Sequence, residues 1–333
     1  MTVSPGFGPM DLGQIAINGV PLSSNYRLAV NNLLLQRTNN GSSLLTLQLT
    51  DPQRTILKSL SAEVQATQRG PLQGAIIIVD GLSYTLTQYV KASDQVQMIF
   101  ESSGIYQLRG QRGKKSAGTG NKYITPFMKS MVFAIKGMNW VGPDFATTLP
   151  QLLALRANSG LPVSNWPPFQ VGRGVGATSD ENEDSWTCLT RLASTIGWRL
   201  WESQNTIYCG PDEYWLGLLP GQNGKPPINV AMSGGKIPEL YEFTRQVQLM
   251  DFDWNIHKPL GQMSVTCMLD SFSYTVGQIV HVNNMGPANG KWMVSSMQRN
   301  LFLPTASMAL TVPMPLVTYI SPTSLPLQPF PLQ

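Results

Sequence analysis

Short runs of alternating apolar and polar residues, each bounded by turn-forming residues, constrain this chain more than any other feature. Leu45, Leu47 and Leu49 alternate with Thr46, Gln48 and Thr50. Successive side chains of a strand point to opposite faces, so this period of two buries one face and leaves the other polar. Tyr26, Leu28 and Val30 alternate with Arg27 and Ala29, and Asn39-Asn40-Gly41 supplies a turn between the two runs. Residues 75–79 meet Asp80-Gly81, a dipeptide suited to a tight hairpin. Tyr84, Leu86, Gln88 and Val90 follow, then residues 96–100 after the polar turn Ala92-Ser93-Asp94. The pattern returns near the C-terminus in Met263, Val265, Cys267 and Leu269, loosely in Val276, Ile279 and Val280, and cleanly in Met308, Leu310 and Val312. Many short strands with regular turns predict a mainly β protein built from small sandwiches or barrels. No sequence repeat is visible, though the two β-rich ends read as structural cousins.

The middle of the chain has a different period. Trp186, Leu189, Leu192, Ala193 and Ile196 recur at helical spacing after the acidic first turn 180–184, and Gly197 closes that helix. Residues 198–201 and 206–209, joined by 202–205, read as a hairpin. Thr125-Pro126 opens a helix with Phe127, Met131 and Ile135 on one face, ended by Gly137. A further short helix runs through Leu149, Leu152 and Leu153 toward Gly160, and residues 161–176 are a Pro- and Gly-rich linker. Asp51-Pro52 suits another helix start, with Ile56, Leu57, Leu60 and Val64 as its apolar face.

The 333 residues suffice for two or three domains. Charged residues make up only 13% of the chain, about half the usual share, against a normal 42% hydrophobic fraction. Gln, Asn, Ser and Thr supply the remaining polar surface, a composition that suits wet, permanent contacts with other subunits. The net charge of +4 does not announce nucleic-acid binding. The first residues, MTVSPGFGPMDLGQ, lack a basic segment followed by an apolar core, so no signal peptide is expected. No apolar run reaches membrane-spanning length, and no stable membrane insertion is expected. Cys188, Cys209 and Cys267 are odd in number and far apart, which fits buried thiols rather than disulfides or a metal site.

Candidate motifs fall short of chemistry. Residues 109–122, RGQRGKKSAGTGNK, form a basic Gly-rich stretch. A phosphate loop needs a Gly five positions before Gly113 and a hydroxyl where Lys115 stands, so the solvated-loop reading is preferred. Asp251 and Asp253 flank Phe252 and share a strand face, but the further oxygen ligands of a cation site do not follow. His257 and His281 are the only histidines, and neither has a partner at motif spacing. Trp186, Trp198, Trp201 and Trp292 suit core anchors better than a sugar-stacking platform. No catalytic residue, cofactor-binding residue or metal ligand is assigned, and the chain is read as not an enzyme.

Three stretches resemble the baseplate or tail-tip hub family of long-tailed bacteriophages, the minor tail proteins. They are residues 46–60 with 76–102, where a strand ends in Asp51-Pro52 and a later one in Phe100-Glu101; residues 180–211, a Trp-bearing helix running into Gly197-Trp198-Arg199 and a hairpin; and residues 277–302, with Gly286-Pro287-Ala288, Gly290, Lys291-Trp292 and Arg299. The resemblance implies two tail-tube-like β-barrel domains around a central α+β region. The expected boundaries are a first barrel over 1–108, a basic loop with short helices and linker over 109–176, an α+β unit over 177–236, a second barrel over 237–319, and a Pro-rich extended tail over 320–333. It also implies a homotrimeric hub at the virion tail tip, made in the host cytoplasm, joining a sixfold tail tube to a threefold tip. Its implied neighbours are the tail tube or distal tail protein, spike or fibre proteins and the tape-measure protein, with DNA passing through the pore without specific binding. Alternatives are a carbohydrate- or receptor-binding tail module and a tail-tip cell-wall hydrolase. Leu325, Leu327, Phe330 and Leu332, set among prolines in the tail, are expected to dock along a neighbouring protein.

Overall fold

The computed structural model describes residues 16–17, 20–21, 29–39, 41–51, 58, 75–79, 82–113, 124–158, 182–215, 239–241, 247–255, 262–269, 276–277, 279–283, 290–303 and 305–311. The run Tyr26 and Leu28, the helix expected after Asp51 (Lys58 apart), the Asp80-Gly81 turn, residues 114–122, the linker 161–176, His257, Val312 and the tail 320–333 lie outside the described residues.

The protein is mainly β. Its first part contains β1 (Ala16–Ile17), β2 (Val20–Pro21), β3 (Val30–Thr38), β4 (Leu44–Thr50), β5 (Ile76–Val79), β6 (Leu82–Ala92) and β7 (Gln95–Ser102). Its last part contains β11 (Glu239–Tyr241), β12 (Val247–Asn255), β13 (Gln262–Leu269), β14 (Ile279–Asn283), β15 (Gly290–Asn300) and β16 (Thr305–Thr311). Between them lie α1 (Ser103–Gly110), α2 (Ile124–Phe133), β8 (Asn139–Val141), α3 (Phe145–Asn158), α4 (Ser185–Thr195), β9 (Arg199–Ser203), β10 (Thr206–Gly210) and α5 (Asp212–Trp215).

The two β parts are built on one plan. Antiparallel pairing orders the first as β3-β4-β7-β6-β5 and the last as β12-β13-β16-β15-β14, which is the same connectivity strand for strand. The irregularities repeat too. The β3–β4 ladder shifts register between Val30 and Asn32, and β12–β13 shifts between Leu249 and Asp251. The long strands β6 and β15, of 11 residues each, are interrupted at Thr87 and Ser295. At both bulges the extra residue's hydroxyl donates to the facing strand, Thr87 Oγ1 to Ile99 O at 3.1 Å and Ser295 Oγ to Ala309 O at 2.9 Å. A bulge leaves one residue out of the ladder, and a hydroxyl there gives the opposing carbonyl its donor.

The alternation seen in the sequence decides what each unit buries. Leu45, Leu47, Leu49, Val96, Met98 and Phe100 face one core; Met263, Val265, Met308 and Leu310 face another. The two units are joined strand to strand. β15 pairs with β14 through Gly290–Met293, then with β3 through Ser296–Asn300, so thirteen strands form one sheet. In the second unit the pairings return on themselves through β11, which touches β12 by the single pair Tyr241 and Gln248. In the first, the described pairings end at β2.

The middle forms its own small sheet, β8-β10-β9, with β8 parallel and β9 antiparallel to β10. Trp186, Leu189, Leu192 and Ala193 of α4 are buried against Leu200 and Ile207 of that sheet. Asp184, expected in the first turn, is instead the cap: its carboxylate accepts from Thr187 N at 2.8 Å, an interaction worth about 1 kcal/mol. Gln204 and Asn205 have φ of +53° and +56°, the left-handed pair that a two-residue hairpin requires. Residues 103–110 are a correction. Arg109 and Gly110, read as the start of the basic loop, are the last turn of α1, whose apolar face is only Ile105 and Leu108. Among the described residues no helix is long and apolar enough to cross a membrane.

The four tryptophans Trp186, Trp198, Trp201 and Trp292 are all buried, so they are core anchors. Trp186→Ala is expected to destabilise the fold by about 3–5 kcal/mol, the usual range for removing a buried aromatic, as read from chemical denaturation.

Candidate functional site

The three parts of the chain meet at the turn between β3 and β4, where Asn39, Gly41, Ser42 and Ser43 are held by β15, β9 and β7. Asn39 N donates to Ser295 O of β15 at 2.8 Å, and its side-chain amide lies 3.8 Å from Met293 Sδ. Gly41 O accepts from Glu202 N of β9 at 3.1 Å. Ser42 Oγ donates to Glu101 Oε1 of β7 at 2.7 Å, and Ser43 N donates to Glu202 Oε2 at 3.3 Å. Ser43 Oγ donates to the Glu202 carbonyl at 3.2 Å. Gly41 leaves no room for a side chain, since a Cβ there would sit 2.7 Å from Thr38 Oγ1.

Two carboxylates organise the turn. Glu101 is buried and takes the Arg109 guanidinium at 3.0 Å, so the end of β7, the last turn of α1 and the β3–β4 turn are tied together. Glu202 is 2% exposed, and its other oxygen accepts from Asn205 N at 2.9 Å. Burial pushes its carboxyl above the ordinary range, opposed by the Ser43 and Asn205 hydrogen bonds and the Arg37 charge. The arrangement is mechanical: it fixes the middle region against the seam between the β units.

Beside this turn runs a sheet face without charge. In register across β3, β15, β16 and β13 lie Gln36, Gln298, Ser307 and Thr266, and in the next row Thr38, Ser296, Ala309 and Ser264. These residues are exposed or half-buried and line an open groove of about 760 Å³ that Arg109 and Trp186 reach from the middle region. Part of the neutral polar surface inferred from composition is therefore one continuous face.

The motifs singled out from sequence are scattered. Arg109 belongs to the Glu101 pair, and Arg112 bridges by its backbone to Asp184, while residues 114–122 of the basic stretch lie outside the described residues. Asp251 and Asp253 stand opposite Thr266 and Ser264 on β12. His281 stands opposite Lys291 on β14. No group of three or more His, Cys, Asp or Glu residues gathers at one point among the described residues. Cys188 and Cys209 are buried free thiols, and burial raises the Cys209 thiol well above its usual range. Sequence reasoning missed Glu101 and Glu202 as anchors. The available signal was a carboxylate at position 202 beside the core residue Trp201.

A group whose folded-state carboxyl lies above its ordinary 4.5 binds its proton more tightly folded than unfolded, so its contribution to stability falls as pH rises through that window. Glu202→Gln is therefore expected to flatten the fall in melting temperature from mildly acid to neutral pH. Glu202→Ala, which strips the acceptor from the Ser43 and Asn205 N–H groups, is expected to cost about 1–3 kcal/mol for each. Thermal melts of both variants across pH check this.

No family model matches the chain, and no curated protein matches it. Solved structures do. The 43 kDa tail protein of prophage MuSo2 from Shewanella oneidensis superposes with a TM-score of 0.52 at 9% identity, over 90% of this chain and 96% of that one. The c3393 protein of E. coli, a type VI secretion component described as similar to the T4 bacteriophage tail proteins gp27 and gp5, reaches 0.49 at 10% identity, over 90% and 76%. Prophage tail protein gp18 from Listeria monocytogenes reaches 0.42 at 8% identity, over 88% and 92%. The likeness to the Shewanella protein shows that this chain has the fold of a phage tail protein along nearly its whole length.

Proposed function

We propose that this chain is a structural subunit of a phage-type tail, acting as a trimeric hub between a sixfold tube and a threefold tip. The observation that carries the proposal is the internal duplication: two five-strand units of one topology, joined strand to strand. Three such chains would present six equivalent units toward a tube of six subunits while keeping a threefold axis for whatever lies beyond. The fold shared with the Shewanella tail protein supports the same reading. The tail tube or distal tail protein would sit on one side of the ring and spike or fibre proteins on the other. The tape-measure protein and DNA would occupy its axis, and no catalytic step is required.

The charge-poor composition fits this role. A face of Ser, Thr and Gln makes water-bridged contacts without the penalty of desolvating charges. The sugar-platform alternative loses its basis, because the tryptophans on which it rested are buried. Imaging of particles that contain the protein is expected to place it on the tail axis with threefold symmetry and three copies per ring. Six copies per ring, or an off-axis fibre position, would reject the hub.

A further inference from the structure

We infer that residues 88–92 of β6 form the intersubunit edge, and that β12 of a second copy of this chain pairs with it in the register Val90 to Asn255, Lys91 to Trp254 and Ala92 to Asp253. The inference rests on the ring reading above and deepens it by naming the contact.

The equivalence of the two units supplies the argument. Aligning the bulge residues Thr87 and Ser295 makes Val90, Lys91 and Ala92 the counterparts of Gln298, Arg299 and Asn300. Aligning the register shifts of β3–β4 and β12–β13 makes Asp253, Trp254 and Asn255 the counterparts of Leu34, Leu35 and Gln36. Within one chain, Gln298 pairs with Gln36, Arg299 with Leu35 and Asn300 with Leu34. That is the fourth strand of the second unit pairing with the first strand of the first. The reciprocal contact, fourth strand of the first unit with first strand of the second, cannot be made by the same copies of these edges.

Among the described residues, both edges needed for it are open to a strand. β5 covers β6 only from Leu82 to Thr85, just as β14 covers β15 only from Gly290 to Met293. Beyond Met293, β15 receives β3; beyond Thr85, no described strand pairs with β6 on that side. On β12, β11 reaches only Gln248. An edge without a partner strand is a template for another chain, and proteins that do not use one blunt it. Val90 is 37% exposed on that edge, next to Lys91, whose charge is opposite to that of Asp253 on the β12 edge. The contact is head-to-tail, so repeating it builds a ring if the rotation closes and a filament if it does not.

The test is a double variant of the full chain, Val90→Cys with Asn255→Cys, oxidised and run without reductant. Opposed positions on one face of an antiparallel pair bring Cβ atoms within disulfide reach. The expected result is a covalent trimer, with each single variant remaining monomeric on the gel and Lys91→Cys with Asn255→Cys, which places the thiols on opposite faces, failing to cross-link. Circular dichroism checks that the variants fold. A ladder of higher multiples would support the edge pairing and overturn the three-copy ring. A trimer by light scattering that does not cross-link would overturn the edge pairing and leave the ring standing. A monomer at the highest soluble concentration would overturn both.

Discussion

Everything else in this molecule depends on one strand changing partners partway along its length. β15 leaves β14 at Met293 and takes up β3 at Ser296, and the two residues between would strand their backbone groups if nothing met them. Both carbonyls are met. Gly277 N donates to Val294 O and Asn39 N to Ser295 O, each at 2.8 Å. Gly277 has φ +82° and lies so close to the Trp201 ring that a Cβ would clash, so the loop that supplies this donor is also where the middle region packs on the second unit. Buried backbone groups are costly when unpaired, so the exchange point is defined by its hydrogen bonds as well as by its side chains. Pulling the units apart would break a five-pair ladder along with these contacts, which makes the duplicated halves one mechanical body.

The middle region is fastened to the same point by carboxylates rather than by a second ladder. A buried carboxyl is expensive unless its oxygens are hydrogen-bonded, and Glu202 meets that demand only because the β3–β4 turn and its own hairpin both present N–H groups to it. Aromatic packing completes the joint, with Trp201 stacked 5.3 Å from Tyr208 and 4.8 Å from Trp215. The carboxylate sets where the hairpin sits, and the rings supply the buried area that holds it there.

The parts of this architecture that are local were legible in the sequence. Leu45, Leu47 and Leu49, Met263 and Val265, and the Trp186 helix all bury the residues that their periods select. Helix α1 was not legible, because two apolar residues in eight give no usable period. The duplication was hidden for a different reason. Counterparts such as Tyr84 and Trp292, Leu86 and Val294, or Thr87 and Ser295 share size, burial or a hydroxyl rather than identity. A unit can keep its topology through such exchanges because strands demand only the right face and approximate volume. The anchoring role of Glu202 was only hinted at by its place beside Trp201, since its partner Ser43 lies 159 residues away.

Where the two units differ, the difference tracks what each is attached to. β7 ends at Ser102 and runs straight into α1, and the carboxylate of Glu101 just before that end clasps Ser42 and Arg109. Its counterpart at the end of β16 is Thr311. The first unit has thus acquired a charge at the place where it must hold the middle region. The second keeps a neutral hydroxyl at the edge of the uncharged face. The repeated bulges lie on the corresponding strands β6 and β15, and the Glu101 to Thr311 divergence lies off them.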